Sequence, residues 1–236
     1  MTVDVHGTAD FYGTAQGAVA ARLLRERLAL LWPDLAGQSV LGIGFAAPYL
    51  RPWRDHAARC IALTPAQAGV ARWPLGARNL SCTAEEDALP FADLTFDRVL
   101  LVHGLETAEN ARRLLREIWR VMNDHGRLLV VAPNRRGIWA YVEATPFGHG
   151  QPYSPGQVGR LLAAALFRVE RRDTALYLPP TDSPLVLRSA ALLERTGRRY
   201  VPGFAGVTLT EAVKEAYAAI PLRAEPQRRL VLAEAA

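Results

Sequence analysis

An apolar run that ends in two closely spaced glycines constrains this chain more than any other feature. The run covers residues 38–44 and passes through Ala46, Ala47 and Pro48 into a segment of helical character. A buried strand, a tight turn and a helix N-terminus together make a binding site for nucleotide-like ligands in open α/β sheets. Residues 42–47 also fit the dinucleotide pattern G-x-G-x-x-G/A. The stretch predicts a nucleotide-type ligand and leaves its identity open.

Strand-like apolar runs alternate with amphipathic helical patterns along the rest of the chain. The predicted strands are 38–44, 59–64, 80–83, 96–102, 127–133, 166–177 and the first half of 206–218. The predicted helices are 13–32, 47–57, one between Thr107 and Gly126, 155–165 and 184–197. Alternation of this kind indicates an α/β fold. We expect a doubly wound, mostly parallel seven-stranded sheet with helices on both faces.

Local signals predict where several elements begin and end. Thr107 is a plausible N-cap, with Glu109 in the first turn of the helix that follows. Gly126 suits the left-handed conformation that often ends a helix. Pro65 is predicted to begin a short helix, and residues 227–236 are interpreted as a loose tail.

The length and the charge pattern limit the domain organisation and the partners. The 236 residues suit a single domain over residues 1–236, with a helical cap at 1–35 and a substrate-side loop region at 134–160. The formal charge is +5, but the arginines are scattered and no run of five or six basic residues occurs. Nucleic-acid binding is therefore not favoured. We expect a small-molecule substrate, and a homodimer or a protein partner stays open.

Cysteine usage and hydropathy bear on the compartment. Cys60 and Cys82 lie in short apolar or strand-like runs, which predicts buried, reduced thiols, and no metal-ligand spacing is present. Residues 1–4 do not resemble the start of a signal peptide, and no apolar stretch approaches the roughly 20 residues that cross a bilayer. We expect a cytoplasmic protein without a membrane segment.

A block at residues 83–134 resembles the small-molecule class I S-adenosylmethionine (SAM) methyltransferases. It has an acidic residue shortly before Leu-Pro-Phe at 89–91, then Phe-Asp at 96–97 leading into a buried strand, and finally a strand that ends in Pro-Asn at 133–134. The resemblance extends over roughly residues 38–134. It implies a Rossmann-like fold, SAM as the cofactor, and methyl transfer to a small molecule.

The resemblance also implies a set of cofactor-binding positions. In the family, the loop after the first strand typically reads Asp-x-Gly-x-Gly-x-Gly, and an acidic residue at the end of the second strand binds the ribose hydroxyls. The implied cofactor-binding residues of this chain are Gly42, Gly44, Ala46, Thr64, Glu85, Glu86 and His103. Glu85 is the first choice to accept a hydrogen bond from the adenine amino group, and Glu86 is the second.

Four positions of the cofactor site depart from the family pattern. Gly42 stands at the acidic position, Ala46 and Pro48 stand at the second and third glycines, and Thr64 stands at the ribose carboxylate. A hydrogen bond to a charged group is worth about 1.5–3 kcal/mol, so loss of that carboxylate predicts SAM binding weakened roughly 10- to 150-fold. We expect a weakened site.

The catalytic and substrate-binding candidates follow later strands. His103 and Glu106 come after the fourth predicted strand, at the edge where ligands bind in such sheets. His103 is a candidate general base or cofactor-facing residue, and a structural histidine is an equally open interpretation. His149 and Tyr153, in or next to a glycine-rich loop, are predicted to bind substrate. Asp97 is either structural or in contact with a ligand.

Three functions follow from these patterns. The first is a SAM-dependent methyltransferase acting on a small molecule. The second is a methyltransferase-fold protein that has lost catalysis and acts as a binding or regulatory subunit, and it rests on Gly42, Pro48 and Thr64. The third is a nicotinamide-dependent oxidoreductase. It rests on residues 42–47, although Thr64 stands where the ribose-binding acid would be expected.

Overall fold

A computed structural model of the chain describes residues 5–69, 72–74 and 76–215, apart from the side chains of Val5 and His6. Its strands are β1 Ser39–Gly44, β2 Arg59–Pro65, β3 Ser81–Ala84, β4 Phe96–Val102, β5 Met122–Pro133, β6 Phe167–Ala175 and β7 Val207–Lys214. They form one sheet in the order β3-β2-β1-β4-β5-β7-β6. The pairs from β3 to β5 are parallel, whereas β7 is antiparallel to both β5 and β6. The prediction of a mostly parallel seven-stranded sheet is confirmed.

Helices cover both faces of this sheet. They are α1 Val5–Gly13, α2 Ala15–Leu31, α3 Ala47–Leu50, α4 Ala111–Val121, α5 Pro155–Ala164, α6 Pro184–Arg188 and α7 Ala190–Tyr200. One apolar cluster joins the sheet to α1, α2, α3, α6 and α7, and a second joins the opposite face to α4 and α5. The two clusters cover both faces of the central strands, which is why most positions in these strands are apolar.

The central strand β1 shows how the sequence produces the two clusters. Successive side chains of a strand point to opposite faces. Val40 accordingly lies in the first cluster, whereas Leu41 and Ile43 lie in the second, and all three are at most 1% exposed. The predicted helix 13–32 is confirmed as α2, whose buried leucines include Leu24 and Leu28. The separate helix α1 in front of it was not predicted.

The helix predicted over 47–57 is wrong in length. Helix α3 ends at Leu50, and the chain continues in turns to Asp55 and His56. Pro52 has no N–H with which to continue the helical hydrogen bonds, and Trp53 is buried with its indole N–H donating to the carbonyl of Trp32 at 2.9 Å. Packing of that indole fixes the turn segment in place of a longer helix.

The predicted boundaries of α4 are also wrong. Asn110 is the N-cap, and its side chain accepts the N–H of Arg113 at 3.1 Å. Thr107 instead donates its hydroxyl to the carbonyl of His103 at 2.7 Å, so Glu109 lies before the helix. Gly126 lies inside β5, because that strand begins directly after the helix.

Three further predictions differ from the structure in detail. Pro65 ends β2, and the 3₁₀ turn that follows is Ala66–Ala68. The helix predicted over 184–197 is divided into α6 and α7 at Ser189. The choice of a strand after Gly206 is confirmed by β7, whereas the predicted tail at 227–236 lies outside the described residues.

Two further observations concern the state of the cysteines and the apolar character of the helices. Cys60 is buried and Cys82 is half-buried, both are free, and burial raises the pKa of each thiol, that of Cys60 to about 11. Within the described ranges, no helix combines the length and the apolar character that crossing a membrane requires.

Candidate functional site

A cavity opens at the carboxyl ends of β1, β2 and β4. The space between its walls, open solvent included, is about 440 Å³. Five segments contribute walls: α1, the turn after β1, the end of β2, the loop after β3 and the segment after β4. The lining includes Thr8, Gly44, Phe45, Thr64, Glu86 and His103. The site thus lies where open α/β sheets bind their ligands.

Gly44 forms the turn that ends β1. Its φ is +80°, and a Cβ added there would overlap the carbonyl oxygen of Val102. The next residue, Phe45, donates its N–H to that same oxygen at 2.8 Å. The turn therefore crosses the end of β4 at a distance that only glycine permits. Gly44 lines the cavity, as predicted for a cofactor-binding position.

Gly42 and Ala46 lie behind the turn, outside the cavity lining. A Cβ added at Gly42 would come within 2.7 Å of the Ala46 Cβ and of Leu50 Cδ1. Helix α3 consequently packs directly on β1 at the position where the family has an acidic residue. Pro48 lies in the first turn of α3, where its missing N–H costs no helical hydrogen bond. The residues that differ from the family pattern in this loop therefore belong to one packed segment, formed by β1 and α3.

The end of β2 supplies a neutral group to the cavity. Thr64 is 8% exposed and lines the cavity next to Pro65 and Gln67. Its hydroxyl offers one donor and acceptor in place of a carboxylate.

The loop after β3 places Glu86, the second choice, in the cavity wall. Its carboxylate accepts the N–H of Glu109 at 3.1 Å. Burial raises the pKa of Glu86, and the neighbouring carboxylates of Glu109, Asp87 and Glu85 act in the same direction. Glu85, the first choice, is exposed, and its carboxylate lies 3.3 Å from Nε2 of Gln67, outside the cavity lining. Glu86 is therefore the carboxylate of this loop that reaches the cavity wall.

His103 lines the cavity within a chain of polar side chains. Its Nδ1 lies 3.1 Å from Oε1 of Glu106, and its Nε2 lies 2.7 Å from the hydroxyl of Tyr12. The Tyr12 oxygen accepts a hydrogen bond from the hydroxyl of Tyr49 at 2.8 Å. Burial is the main reason that the pKa of each tyrosine is raised. Both phenols therefore remain neutral at ordinary pH.

The other predicted residues lie farther from the cavity. Asp97 accepts from the N–H of Ser39 at 2.8 Å and from the amide of Asn123 at 2.7 Å, at the amino end of β4, so its role here is structural. Tyr153 is buried, and the carboxylate of Glu106 adds to the effect of burial in raising its pKa. His149 is partly exposed in the loop before it. Neither His149 nor Tyr153 lines the cavity.

Sequence reasoning missed the contributions of α1 and α3. Thr8 lines the cavity, Tyr12 contacts His103, and Tyr49 supports Tyr12. No pattern marked Thr8 or Tyr12, because the segment before residue 13 was not predicted as a helix, and nothing in the predicted helix 47–57 marked Tyr49. The aromatic pair at positions 11 and 12 was the available signal.

Comparison with known proteins identifies the class. Residues 40–130 match the family model described as a methyltransferase domain. A possible histamine N-methyltransferase from Thermotoga maritima, a SAM-dependent methyltransferase, superposes with a TM-score of 0.61 at 14% identity, covering 89% of this chain and 95% of that one. The chain has the class I SAM-dependent methyltransferase fold, and the matched domain together with this fold implies SAM as the cofactor.

Two further proteins show the same similarity. The demethylmenaquinone methyltransferase of Deinococcus radiodurans is 34% identical over 142 residues, which are 57% of this chain and 55% of that protein. The match thus spans about half the length of that relative. A putative methyltransferase solved in complex with the Trm112 methyltransferase activator of Haloferax volcanii superposes with a TM-score of 0.58 at 19% identity, covering 84% of this chain and 92% of that chain.

The sheet order distinguishes this fold from a dinucleotide-binding one. Dinucleotide-binding sheets have the strand order 3-2-1-4-5-6, whereas here the antiparallel β7 is inserted between β5 and β6. The dinucleotide pattern of residues 42–47 therefore reflects the turn geometry that both classes use. This result, together with the family match, favours SAM over a nicotinamide cofactor.

Proposed function

We propose that this chain is a SAM-dependent methyltransferase that transfers a methyl group to a small-molecule acceptor. The observation that carries the proposal is the cavity beside Gly44, because four successive strand ends of a methyltransferase fold form its walls. Glu86 places a carboxylate in the cavity wall, and the carboxylates of Glu85, Asp87 and Glu109 lie close to it.

The residues present fit SAM in part. The turn at Gly44 leaves room for the ligand to approach the backbone, Thr64 offers a hydroxyl to the ribose, and Glu86 offers a carboxylate to the adenine amino group. Compared with a ribose carboxylate, Thr64 supplies a neutral hydrogen bond worth about 0.5–1.5 kcal/mol. We therefore expect SAM to bind, but more weakly than in family members that have the carboxylate.

Bound SAM supplies an activated methyl group on a sulfonium. The protein then has to hold the acceptor in line with that methyl group and keep water out, so proximity and orientation provide most of the rate enhancement. The loop 146–153 lies against this region, since Gln151 donates its N–H to the carbonyl of Glu106 at 2.8 Å. We propose His149 and Tyr153 of that loop as acceptor-side residues.

The test is methyl transfer by the full chain with methyl-labelled SAM. The acceptor probes are 1,4-dihydroxynaphthalene, catechol, histamine and pyridine, which together offer oxygen, carbon and nitrogen nucleophiles. We expect S-adenosylhomocysteine to form with at least one probe and the label to appear in the product. Absence of transfer to all four probes would favour the second candidate.

The second candidate is a methyltransferase-fold protein without catalysis that acts as a binding or regulatory subunit. Gly42 and Thr64 favour it, because neither family carboxylate is present. The Haloferax complex shows a protein of similar fold bound to a partner protein. Under this candidate the chain would bind SAM or a partner protein and transfer no methyl group. Turnover with any acceptor would exclude it.

A further inference from the structure

Four titratable side chains form a hydrogen-bonded chain that direct methyl transfer does not require. They are Tyr49, Tyr12, His103 and Glu106, joined by contacts of 2.8, 2.7 and 3.1 Å. They come from α3, α1 and the segment after β4, so the fold brings them together from three places. This hydrogen-bonded chain passes beside the cavity, because its third member, His103, is part of the cavity wall.

The hydrogen bonds of this chain run in one direction. An ionised carboxylate only accepts, so the Nδ1–H of His103 donates to Glu106 and leaves Nε2 as an acceptor. Tyr12 donates its proton to that Nε2, and Tyr49 donates to the Tyr12 oxygen. A proton entering at Tyr12 can therefore move to Nε2 without any change of side-chain position.

Two features of this hydrogen-bonded network cost free energy that a purely structural role would not explain. His103 has a φ of +52°, in the left-handed region that residues other than glycine rarely adopt. Oε2 of Glu106 is buried and has no hydrogen-bond partner among the described residues, which carries a desolvation cost. An imidazolium at His103 would offset that cost, since it gives the buried carboxylate a full positive charge at 3.1 Å.

The exposure of the four side chains indicates where a ligand can approach this hydrogen-bonded network. Tyr49, His103 and Glu106 are between 0% and 6% exposed, whereas Tyr12 is partly exposed. The Tyr12 ring stacks on Phe45 with 5.1 Å between ring centroids and 9° between planes. Phe45 directly follows Gly44 and lines the cavity. Tyr12 does not itself line the cavity, but it contacts two residues of the wall, Phe45 and His103. An acceptor bound beside Phe45 and His103 would lie next to the Tyr12 hydroxyl.

We propose that Tyr12 is a catalytic residue that takes a proton from the acceptor and passes its own proton to His103, with Glu106 as the positioning residue. The acceptor is then a phenol or enol, which loses a proton as it is methylated. This inference rests on the proposed methyl transfer. The raised pKa of Tyr12 is consistent with a phenol that relays a proton while remaining neutral.

The step balances. The new bond joins the methyl carbon to the acceptor oxygen or ring carbon, and the electron pair of the broken C–S bond stays on sulfur, giving S-adenosylhomocysteine. The acceptor proton moves to the Tyr12 oxygen as the Tyr12 proton moves to Nε2 of His103. The resulting imidazolium is paired with Glu106 and later releases its proton to solvent. No oxidant or further reactant is needed.

The experiment measures the kinetics and the SAM binding of the unaltered full chain and of its variants. The hydroxyl probe is 1,4-dihydroxynaphthalene, and pyridine is the probe that has no proton to lose. We expect transfer to the first probe only. Tyr12→Phe should lower kcat by about 100-fold or more, the usual contribution of a positioned acid or base, with SAM affinity and KM unchanged. Glu106→Gln should lower kcat by at least about 10-fold, again without a change in KM.

Tyr200→Phe is the matched control, because Tyr200 is 74% exposed and remote from the cavity. Equal kcat values for Tyr12→Phe and Tyr200→Phe would overturn the inference, and so would a Tyr12→Phe effect confined to KM or to SAM affinity. SAM binding without transfer to the hydroxyl probe would overturn the inference alone. If the unaltered protein does not bind SAM, that result would instead contradict the proposed function.

Discussion

Gly44, in the turn after β1, and Gly203, in the turn after α7, differ sharply in their tolerance of a side chain. Gly44 combines a positive φ with a neighbouring carbonyl that leaves no room for a Cβ, whereas Gly203 has neither a positive φ nor a neighbour within 4 Å of an added Cβ. A left-handed residue with a Cβ costs about 1–2 kcal/mol before any clash. At the residue scale the site therefore depends most on Gly44.

We predict that Gly44→Ala destabilises the protein by at least about 2 kcal/mol and abolishes SAM binding. Gly203→Ala should change the free energy of unfolding by less than about 0.5 kcal/mol. Urea unfolding of both variants measures the difference, and equal midpoints would contradict the backbone argument.

Some residues of this site can be predicted from the sequence and others cannot. The family resemblance and the positions of strand ends selected Gly44, Thr64, Glu86 and His103, all of which line the cavity, whereas Gly42, Ala46 and Glu85, selected in the same way, do not. Tyr12 was not selected, because its role depends on a helix that crosses the cavity from elsewhere in the chain. Local patterns locate strand ends, whereas contacts between distant segments appear only in the fold.

At the scale of elements, caps decide where several helices begin. Ser154 forms a capping box with Gln157, since its hydroxyl accepts the Gln157 N–H at 3.3 Å and its own N–H donates to the Gln157 side chain at 2.8 Å. Ser183 stands at the same position of α6 but makes no side-chain cap hydrogen bond. Ser154 and Ser183 therefore allow the same substitution to be compared with and without a cap hydrogen bond.

We predict that Ser154→Ala lowers stability by about 1 kcal/mol, which is the typical value of an N-cap. The melting temperature should fall by about 2–4 °C for a chain of this size. Ser183→Ala, which removes no cap hydrogen bond, should lie within about 0.5 kcal/mol of the unaltered protein. Thermal unfolding of the two variants provides the test, and the reverse ranking would show that capping does not control α5.

Element type was more predictable than element length. All seven strands were predicted, because apolar runs flanked by turn residues are typical of buried strands. The errors fell on helices: α3 is cut short by Pro52 and the packing of Trp53, and the N-cap of α4 shifts to Asn110 because Thr107 is bonded to His103. Tertiary contacts override local helix signals in each case.

At the scale of the whole molecule, two apolar clusters on opposite faces hold one sheet, and the cavity lies at its carboxyl edge. The sheet order, the family match and the cavity all support the same cofactor. We propose that Thr64, which stands where the family has a ribose carboxylate, lowers SAM affinity without altering this architecture. We therefore propose that SAM binds in this cavity and that Thr64 limits its affinity.

Calorimetric titration of the unaltered protein and of Thr64→Asp with SAM tests that claim most directly. A charge-assisted hydrogen bond exceeds a neutral one by about 1–1.5 kcal/mol, so Thr64→Asp should bind SAM roughly 5- to 10-fold more tightly. Thr64→Asn is the neutral control and should show no such gain. We predict saturable heat with both the unaltered protein and Thr64→Asp. Absence of heat at millimolar SAM in both would contradict the account.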